Sequence, residues 1–344
     1  MLNKIKLGFS VTFVVIAAIL MLGEIMVRFA VGPPAAFLYS KGFTDRQTDW
    51  NISYEVDKHL HRTNCVSDKE QRIEKTAVVG DSFTYGQGIT NCLDLVSNLN
   101  RFFPKEEFVN YGVIGIGLPE YKMILRDFVS DGPYGRLILL IYGNDISQYP
   151  LNRSLIGSLA DVSSLFALFR KLRRSYLMKK ALKGIDDEAT QKSDDVKTFN
   201  NIQALISSGD KAYFKKIVNP PLAHYKKFRN AFTAVVPYIN QKFKPDNVSL
   251  VFIPAANTVS TLTRGFIQKS GGEVAPFGMA GSVRELLRAI ARENNYQFID
   301  LFEYISASGN DYYFSHDLHW NERGHQFVSE VIAKRQIELD KTKQ

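Results

Sequence analysis

From residue 76 onward, short unbroken apolar runs alternate with longer stretches of helical periodicity. The runs Thr76–Val79, Phe108–Tyr111, Leu137–Tyr142, Val248–Ile253 and Gln297–Ile299 have the character of strands buried on both faces. Between them, Cys92–Phe102, Pro119–Val129 and Ser282–Asn294 carry apolar residues at helical spacing. Alternating β and α units predict an α/β fold, a doubly wound parallel sheet of five strands with helices on both faces. In such sheets ligands bind beyond the carboxyl ends of the strands, so chemistry is sought there.

The amino-terminal pattern is different. Gly8 to Gly23 runs for sixteen residues without a charge, followed by Glu24 and Arg28 one helical turn apart. About 20 apolar residues cross a bilayer core, so residues 1–32 read as a transmembrane anchor with Glu24 and Arg28 paired near an interface. Lys4 and Lys6 precede the span. The positive-inside tendency then predicts a single-pass protein with a cytoplasmic amino terminus and its body periplasmic or otherwise extracytoplasmic. A cleaved signal peptide competes with this reading, but Ala30 and Gly32 would leave Pro33 first in the mature chain, an unfavourable context. A buried helix is the third alternative. Residues 33–75 read as a linker with a short peripheral strand, and 76–344 as the main domain. Outside the cytoplasm Cys65 and Cys92, with 26 residues between them, could form a disulfide, although two buried thiols fit as well.

Charge is distributed unevenly. The 344 residues carry +8 overall, yet residues 151–245 hold 18 Lys and Arg against 7 Asp and Glu, which makes this stretch +11 and the remainder −3. It is too long for a simple crossover and reads as a basic helical insertion. Within it Leu165, Phe169, Leu172 and Tyr176 recur at helical spacing among Arg170, Lys171, Arg173, Arg174, Lys179 and Lys180. Such a helix suits an anionic membrane surface or a lid over the site, or it is packed with a solvated basic face. No nucleic-acid reader motif accompanies the charge, so no nucleic-acid partner is expected. Composition excludes a disordered chain, and two cysteines exclude a disulfide miniprotein or a four-cysteine zinc site.

The sharpest chemical feature is Val79-Gly80-Asp81-Ser82-Phe83-Thr84-Tyr85-Gly86, where an apolar strand ends in a small-residue turn that exposes the Ser82 hydroxyl. A serine needs a base to become a nucleophile. Near the carboxyl terminus, Asp317-Leu318-His319 places a carboxylate and an imidazole two residues apart, so one loop could deliver both. Asn110-Tyr111-Gly112-Val113-Ile114-Gly115 leaves the second strand through glycines that permit close backbone approach. Tyr142-Gly143-Asn144-Asp145 closes the third strand, and the Asn144 amide could donate to a developing oxyanion.

Taken in order, these four blocks resemble those of the SGNH (GDSL-type) hydrolases over residues 75–335. That resemblance implies a flavodoxin-like three-layer α/β/α fold with Ser82 as nucleophile, His319 as base and Asp317 orienting it. It also implies an oxyanion hole of the Ser82 and Gly115 amides with the Asn144 side chain, and no cofactor. Two positions depart from the family pattern. Tyr142 stands where glycine usually precedes the asparagine by two, and the usual D-x-x-H is shortened. The resulting D-x-H-W-N form resembles membrane-tethered envelope proteins that act on O-acyl groups of polysaccharides. Ordinary α/β-hydrolases are less similar, because Thr84 stands where G-x-S-x-G needs its second glycine.

Each residue also has a plainer reading. Ser82 could be only a helix N-cap. Asp81 and Asp145 are expected to brace their own turns, and Trp320 and Asn321 to fix the loop that presents His319. His316 and His325 read as structural or rim residues, and no metal site is expected. Tyr85, Tyr111 and Tyr142 either line an acyl or sugar pocket or pack the core. The function expected is a membrane-anchored serine esterase acting on short O-acyl, above all acetyl, esters of an envelope glycan or on a small ester. One alternative is an O-acyltransferase working with a membrane-bound acyl-transfer partner, and another is a non-catalytic glycan-binding module.

Overall fold

The computed structural model describes residues 2–40, 42–57, 61–62, 74–150, 155–173, 176, 202, 206 and 210–342. They divide into two compact units, Lys41–Leu151 with Lys197–Gln344, and Met1–Ser40 with Asn152–Val196.

The larger unit is built on five parallel strands: β1 (Glu74–Gly80), β2 (Glu106–Gly112), β3 (Tyr134–Tyr142), β4 (Val248–Ile253) and β5 (Gln297–Asp300), in the order β2-β1-β3-β4-β5. Each contains one of the apolar runs read from the sequence. β4 is buried throughout and β3 over its last six residues, the pattern of strands covered on both faces. Register sets Gly80 beside Gly112 and Val79 beside Leu139. The carboxyl ends of β1, β2 and β3 therefore form one continuous edge.

Two sets of helices cover the sheet. α3 (Leu95–Phe102) packs with the terminal helix α9 (Glu322–Thr342), which meets α8 (Leu301–Ser308). In the other set, α6 (Leu222–Thr233) packs with α4 (Leu118–Ile124) and α7 (Gly281–Glu293). The helix expected from Cys92 starts at Leu95 instead. Cys92 has φ 77, outside helical space, whereas the Asp94 side chain accepts from Val96 N and Ser97 N and so caps the first turn. The helix expected over Pro119–Val129 is α4 followed by a π turn, Leu125–Val129. In α6, Phe228 and Phe232 are buried while Lys226 and Lys227 are exposed, so the basic charge of this part of 151–245 is the solvated face of a core helix. Upstream of β1, Thr44–Arg46 and Asn51–Ser53 form an antiparallel pair, two short strands where one was expected. Cys65 lies outside the described residues, as do Arg174, Lys179 and Lys180 of the basic helix.

The smaller unit holds α1 (Leu2–Ala30). Its window Val11–Ala30 has a mean hydropathy of 2.2 and is long and apolar enough to cross a membrane. Glu24 and Arg28 form the expected pair at 3.0 Å. Two helices follow from the other chain segment, Leu155–Ala160 and 164–173. Ala160 and Ala167 are buried with Phe37 in a small apolar core.

Candidate active site

Strand β1 delivers Ser82 to the sheet edge through a turn that tolerates little bulk. A Cβ on Gly80 would lie 2.1 Å from Thr84 Oγ1, and one on Gly112 would lie 2.1 Å from the Tyr85 backbone nitrogen. Glycine at both positions lets the turn sit against β2. Ser82 begins the one-turn helix α2 (Ser82–Tyr85), for which Asp81 is the N-cap, its carboxylate accepting from Phe83 N at 3.0 Å. Ser82 therefore starts the helix without capping it, and its hydroxyl is free for another partner. That partner is His319: Ser82 Oγ–H donates to Nε2 at 2.7 Å. On the far side of the ring, His319 Nδ1–H donates to Asp317 Oδ1. The same oxygen accepts from His319 N at 2.8 Å. Nδ1 faces a carboxylate and so carries the proton, which leaves Nε2 as the acceptor.

Burial of the imidazole lowers its pKa. The charge of Asp317 and its hydrogen bond, with a further contribution from Asp81, more than reverse this, so His319 sits above the ordinary histidine value. Asp81 is pushed upward by burial, against the opposing pull of Phe83 N, His319 and Asn144. Asp145 is raised well above the usual range by burial and then by the neighbouring Asp81 charge.

The loop bearing Asp317 and His319 follows α8 and not β5 directly. The strand ends at Asp300, whose carboxylate pairs with Arg284 and Arg288, and a helix starts at once. The loop is a small hairpin. Phe314 N donates to His319 O at 3.0 Å, Asn321 N donates to Tyr312 O at 2.9 Å, and the Asn321 amide reaches Tyr313 O at 3.0 Å. Trp320 is fully buried edge-on against Phe83, which also packs against the His319 ring. Trp320 and Asn321 both make contacts within this loop or directly beneath it.

Gly115 and Asn144 stand after β2 and β3 on the same edge. Gly115 is exposed, with φ +72 and no atom within 4 Å of where its Cβ would be. Asn144 lies in the first turn of α5 (Gly143–Ser147). Asp145 fixes that turn, accepting from Tyr142 N at 3.0 Å and from the Tyr121 hydroxyl at 3.0 Å. The three tyrosines fall on the packing side of their alternatives. Tyr142 is buried on Phe83, Tyr111 bonds the Tyr134 hydroxyl, and Tyr85 lies against Tyr54. His325 is structural: fully buried, it accepts from Leu95 N at 3.1 Å through Nδ1, and burial together with the Arg62 and His319 charges lowers its pKa to about 3.

Two residues that carry no sequence signal complete the surroundings. The buried Arg62 guanidinium donates to the carbonyls of Tyr85, Gly86 and Ile89, bracing the chain just after the serine turn. Asp49 accepts from His316 N at 3.0 Å and pairs with the His316 ring at 2.9 Å, so the amino-terminal strand pair grips the histidine loop. Among the described residues no cluster of three or more His, Cys, Asp or Glu could hold a metal ion.

No known protein family's sequence profile matches the chain, and no curated protein does. Solved structures similar to it include a member of the lipolytic protein G-D-S-L family from Veillonella parvula, at 14% identity over 76% of this chain and 97% of that one, with a TM-score of 0.41. An acetyl xylan esterase, AlAXEase, is similar at 14% identity over 76% and 98%, TM-score 0.41. TesA is similar at 10% identity over 77% and 99%, TM-score 0.43.

Proposed function

We propose that this chain is a membrane-anchored serine esterase of SGNH type. The single observation that carries the reading is one line of hydrogen bonds, from the Ser82 hydroxyl to His319 Nε2 at 2.7 Å and from Nδ1 to the Asp317 carboxylate. In the proposed reaction, Ser82 Oγ attacks an ester carbonyl and gives its proton to His319. The negative charge that forms on the carbonyl oxygen is held by the Ser82 and Gly115 N–H groups and the Asn144 amide. His319 then protonates the departing alcohol oxygen as the C–O bond breaks, leaving an acyl group on Ser82. A water molecule, deprotonated by the same ring, releases the acid and restores the hydroxyl. Asp317 keeps the ring in the required tautomer and stabilises its cation throughout.

For the substrate we propose a short O-acyl ester, acetyl on an envelope polysaccharide, with the body outside the cytoplasm and α1 as an uncleaved anchor. The D-x-H-W-N block and the Val11–Ala30 window support this part. The test is fluorophosphonate labelling of the full chain, followed by mass spectrometry of the labelled peptide. Label on Ser82, its loss in Ser82→Ala and parallel loss of p-nitrophenyl acetate hydrolysis are the expected results. An unlabelled wild-type serine overturns the proposal.

A further inference from the structure

The smaller unit joins α1 to segment 155–173 through polar bonds that the sequence does not announce. The Glu24 carboxylate accepts from Ser164 N at 3.0 Å, from Leu165 N at 2.9 Å and from the Ser163 hydroxyl at 2.7 Å. These groups open helix 164–173, so a side chain on α1 caps it from about 140 residues away in sequence. Ser164 Oγ–H donates to Gly32 O at 2.9 Å, and Lys171 Nζ donates to Tyr39 O at 3.0 Å. A Cβ on Gly23 would stand 3.3 Å from the Leu165 side chain. Helix 164–173 is therefore fastened at the carboxyl end of the apolar window, within two turns of Ala30.

The side chains left outward are unusual for a surface bathed only in water. Leu155, Val162, Phe169, Leu172 and Tyr176 are all more than half exposed. Phe169 and Leu172 are three apart and share a helix face. Beside them lie Arg170, Lys171 and Arg173; the one acidic residue within 155–173 is Asp161, which pairs with Arg170 at 3.3 Å. We infer that segment 155–173 lies in the headgroup layer of an anionic membrane, with Phe169 and Leu172 at the acyl boundary and Arg173 among lipid phosphates. The occupant is lipid because the patch is hydrogen-bonded to the membrane end of a helix that is itself apolar, and because its net charge is positive. The anchor is then a span plus an interfacial shelf, which fixes how the carboxyl end of α1 leaves the bilayer. This rests on the reading of α1 as an anchor.

The test uses the full chain in vesicles of phosphatidylcholine with a quarter phosphatidylglycerol, and one new tryptophan at a time. The native Trp50 and Trp320 are buried and give a constant background. Leu172→Trp reports the shelf, Phe13→Trp the span and Leu262→Trp the exposed surface of the larger unit. Lipids brominated near the headgroup are expected to quench Leu172→Trp and Phe13→Trp about twofold or more beyond Leu262→Trp, and aqueous iodide to reach only Leu262→Trp. Arg173→Glu added to Leu172→Trp is expected to weaken lipid quenching in the anionic vesicles and not in pure phosphatidylcholine. Equal quenching in the two overturns the anionic assignment. Lipid quenching of Phe13→Trp with iodide quenching of Leu172→Trp overturns the shelf alone, as does Leu172→Trp shielded from both quenchers, since protein then covers it. Iodide quenching of Phe13→Trp overturns the anchor and the shelf together.

Discussion

Replacing Asp317 by asparagine separates the charge of the triad from its geometry. One oxygen, Asp317 Oδ1, accepts both the His319 backbone N–H at 2.8 Å and the ring Nδ1–H. An asparagine carbonyl oxygen placed there keeps both bonds, and turning the amide over would set its N–H groups against the His319 backbone N–H, which can only donate. The required tautomer therefore survives in Asp317→Asn, and what is lost is charge. A hydrogen bond to a charged group contributes about 1.5–3 kcal/mol and a neutral one about 0.5–1.5, a difference of about 1–1.5 kcal/mol. With each 1.36 kcal/mol worth about tenfold in rate, kcat/KM should fall about 5–13-fold. The acid limb of the pH profile should also move. In the proposed mechanism the base works only when neutral, and Asp317 holds the His319 pKa above its ordinary value, so activity should be lost as pH falls through that raised pKa. Without the carboxylate, burial dominates and the limb shifts to lower pH. Stability runs with the opposite sign. The folded pKa exceeds the unfolded one, so the pair's contribution is complete below about pH 6.5 and disappears as pH rises through the folded value. Hydrolysis of p-nitrophenyl acetate across pH, with wild type and Asp317→Asn side by side, measures the shift. An acid limb unmoved in the variant refutes the coupling of Asp317 to the imidazole.

Three further outcomes follow from the same geometry. Asn144→Ala should lower kcat by about 10²–10³-fold with little change in KM, because its amide is proposed to meet charge that exists only in the transition state; steady-state kinetics decide this. Gly115→Ala and Gly112→Ala should differ sharply in thermal melts. Position 115 has open space and only left-handed strain, about 1–2 kcal/mol, whereas a Cβ at 112 would meet the Tyr85 backbone nitrogen at 2.1 Å and should prevent stable folding. Arg62→Met should leave the carbonyls of Tyr85, Gly86 and Ile89 without that donor, at about 1–3 kcal/mol each, and show as a large fall in Tm.

The sheet was legible because buried parallel strands are written as nearly unbroken apolar runs, and those runs survive without knowledge of their neighbours. The serine turn and the histidine loop were legible because each packs its chemistry into a few consecutive residues. What escaped the sequence depends on distant pairs. Arg62 sits in a polar stretch with nothing to mark it, and its partners are backbone carbonyls of a segment more than twenty residues on. Asp49 and His316 are 267 positions apart. Charge counting treated residues 151–245 as one basic insertion. Yet helix 164–173 is bonded to α1 while α6 packs in the larger unit, a division made by contacts that no running sum of charge contains.

The two positions at which the sequence departs from the SGNH pattern it resembles have local physical surroundings that suit them. A Cβ at position 143 would lie 1.8 Å from the Ile217 carbonyl, so glycine is demanded there by backbone approach. Position 142 points inward on β3, where a ring packs on Phe83. Glycine is thus required one place later than in the usual block, and Asn144 still lies in the first turn of α5, where Asp145 accepts from Tyr142 N. The shortened spacing before His319 works in a similar way. With one residue between them, the Asp317 carboxylate can cap the backbone N–H two positions on, an Asx turn, while the same oxygen meets the ring. Adding a residue to restore the longer spacing would separate those two acceptor roles, so the short form orients His319 through its own backbone as well as through its imidazole.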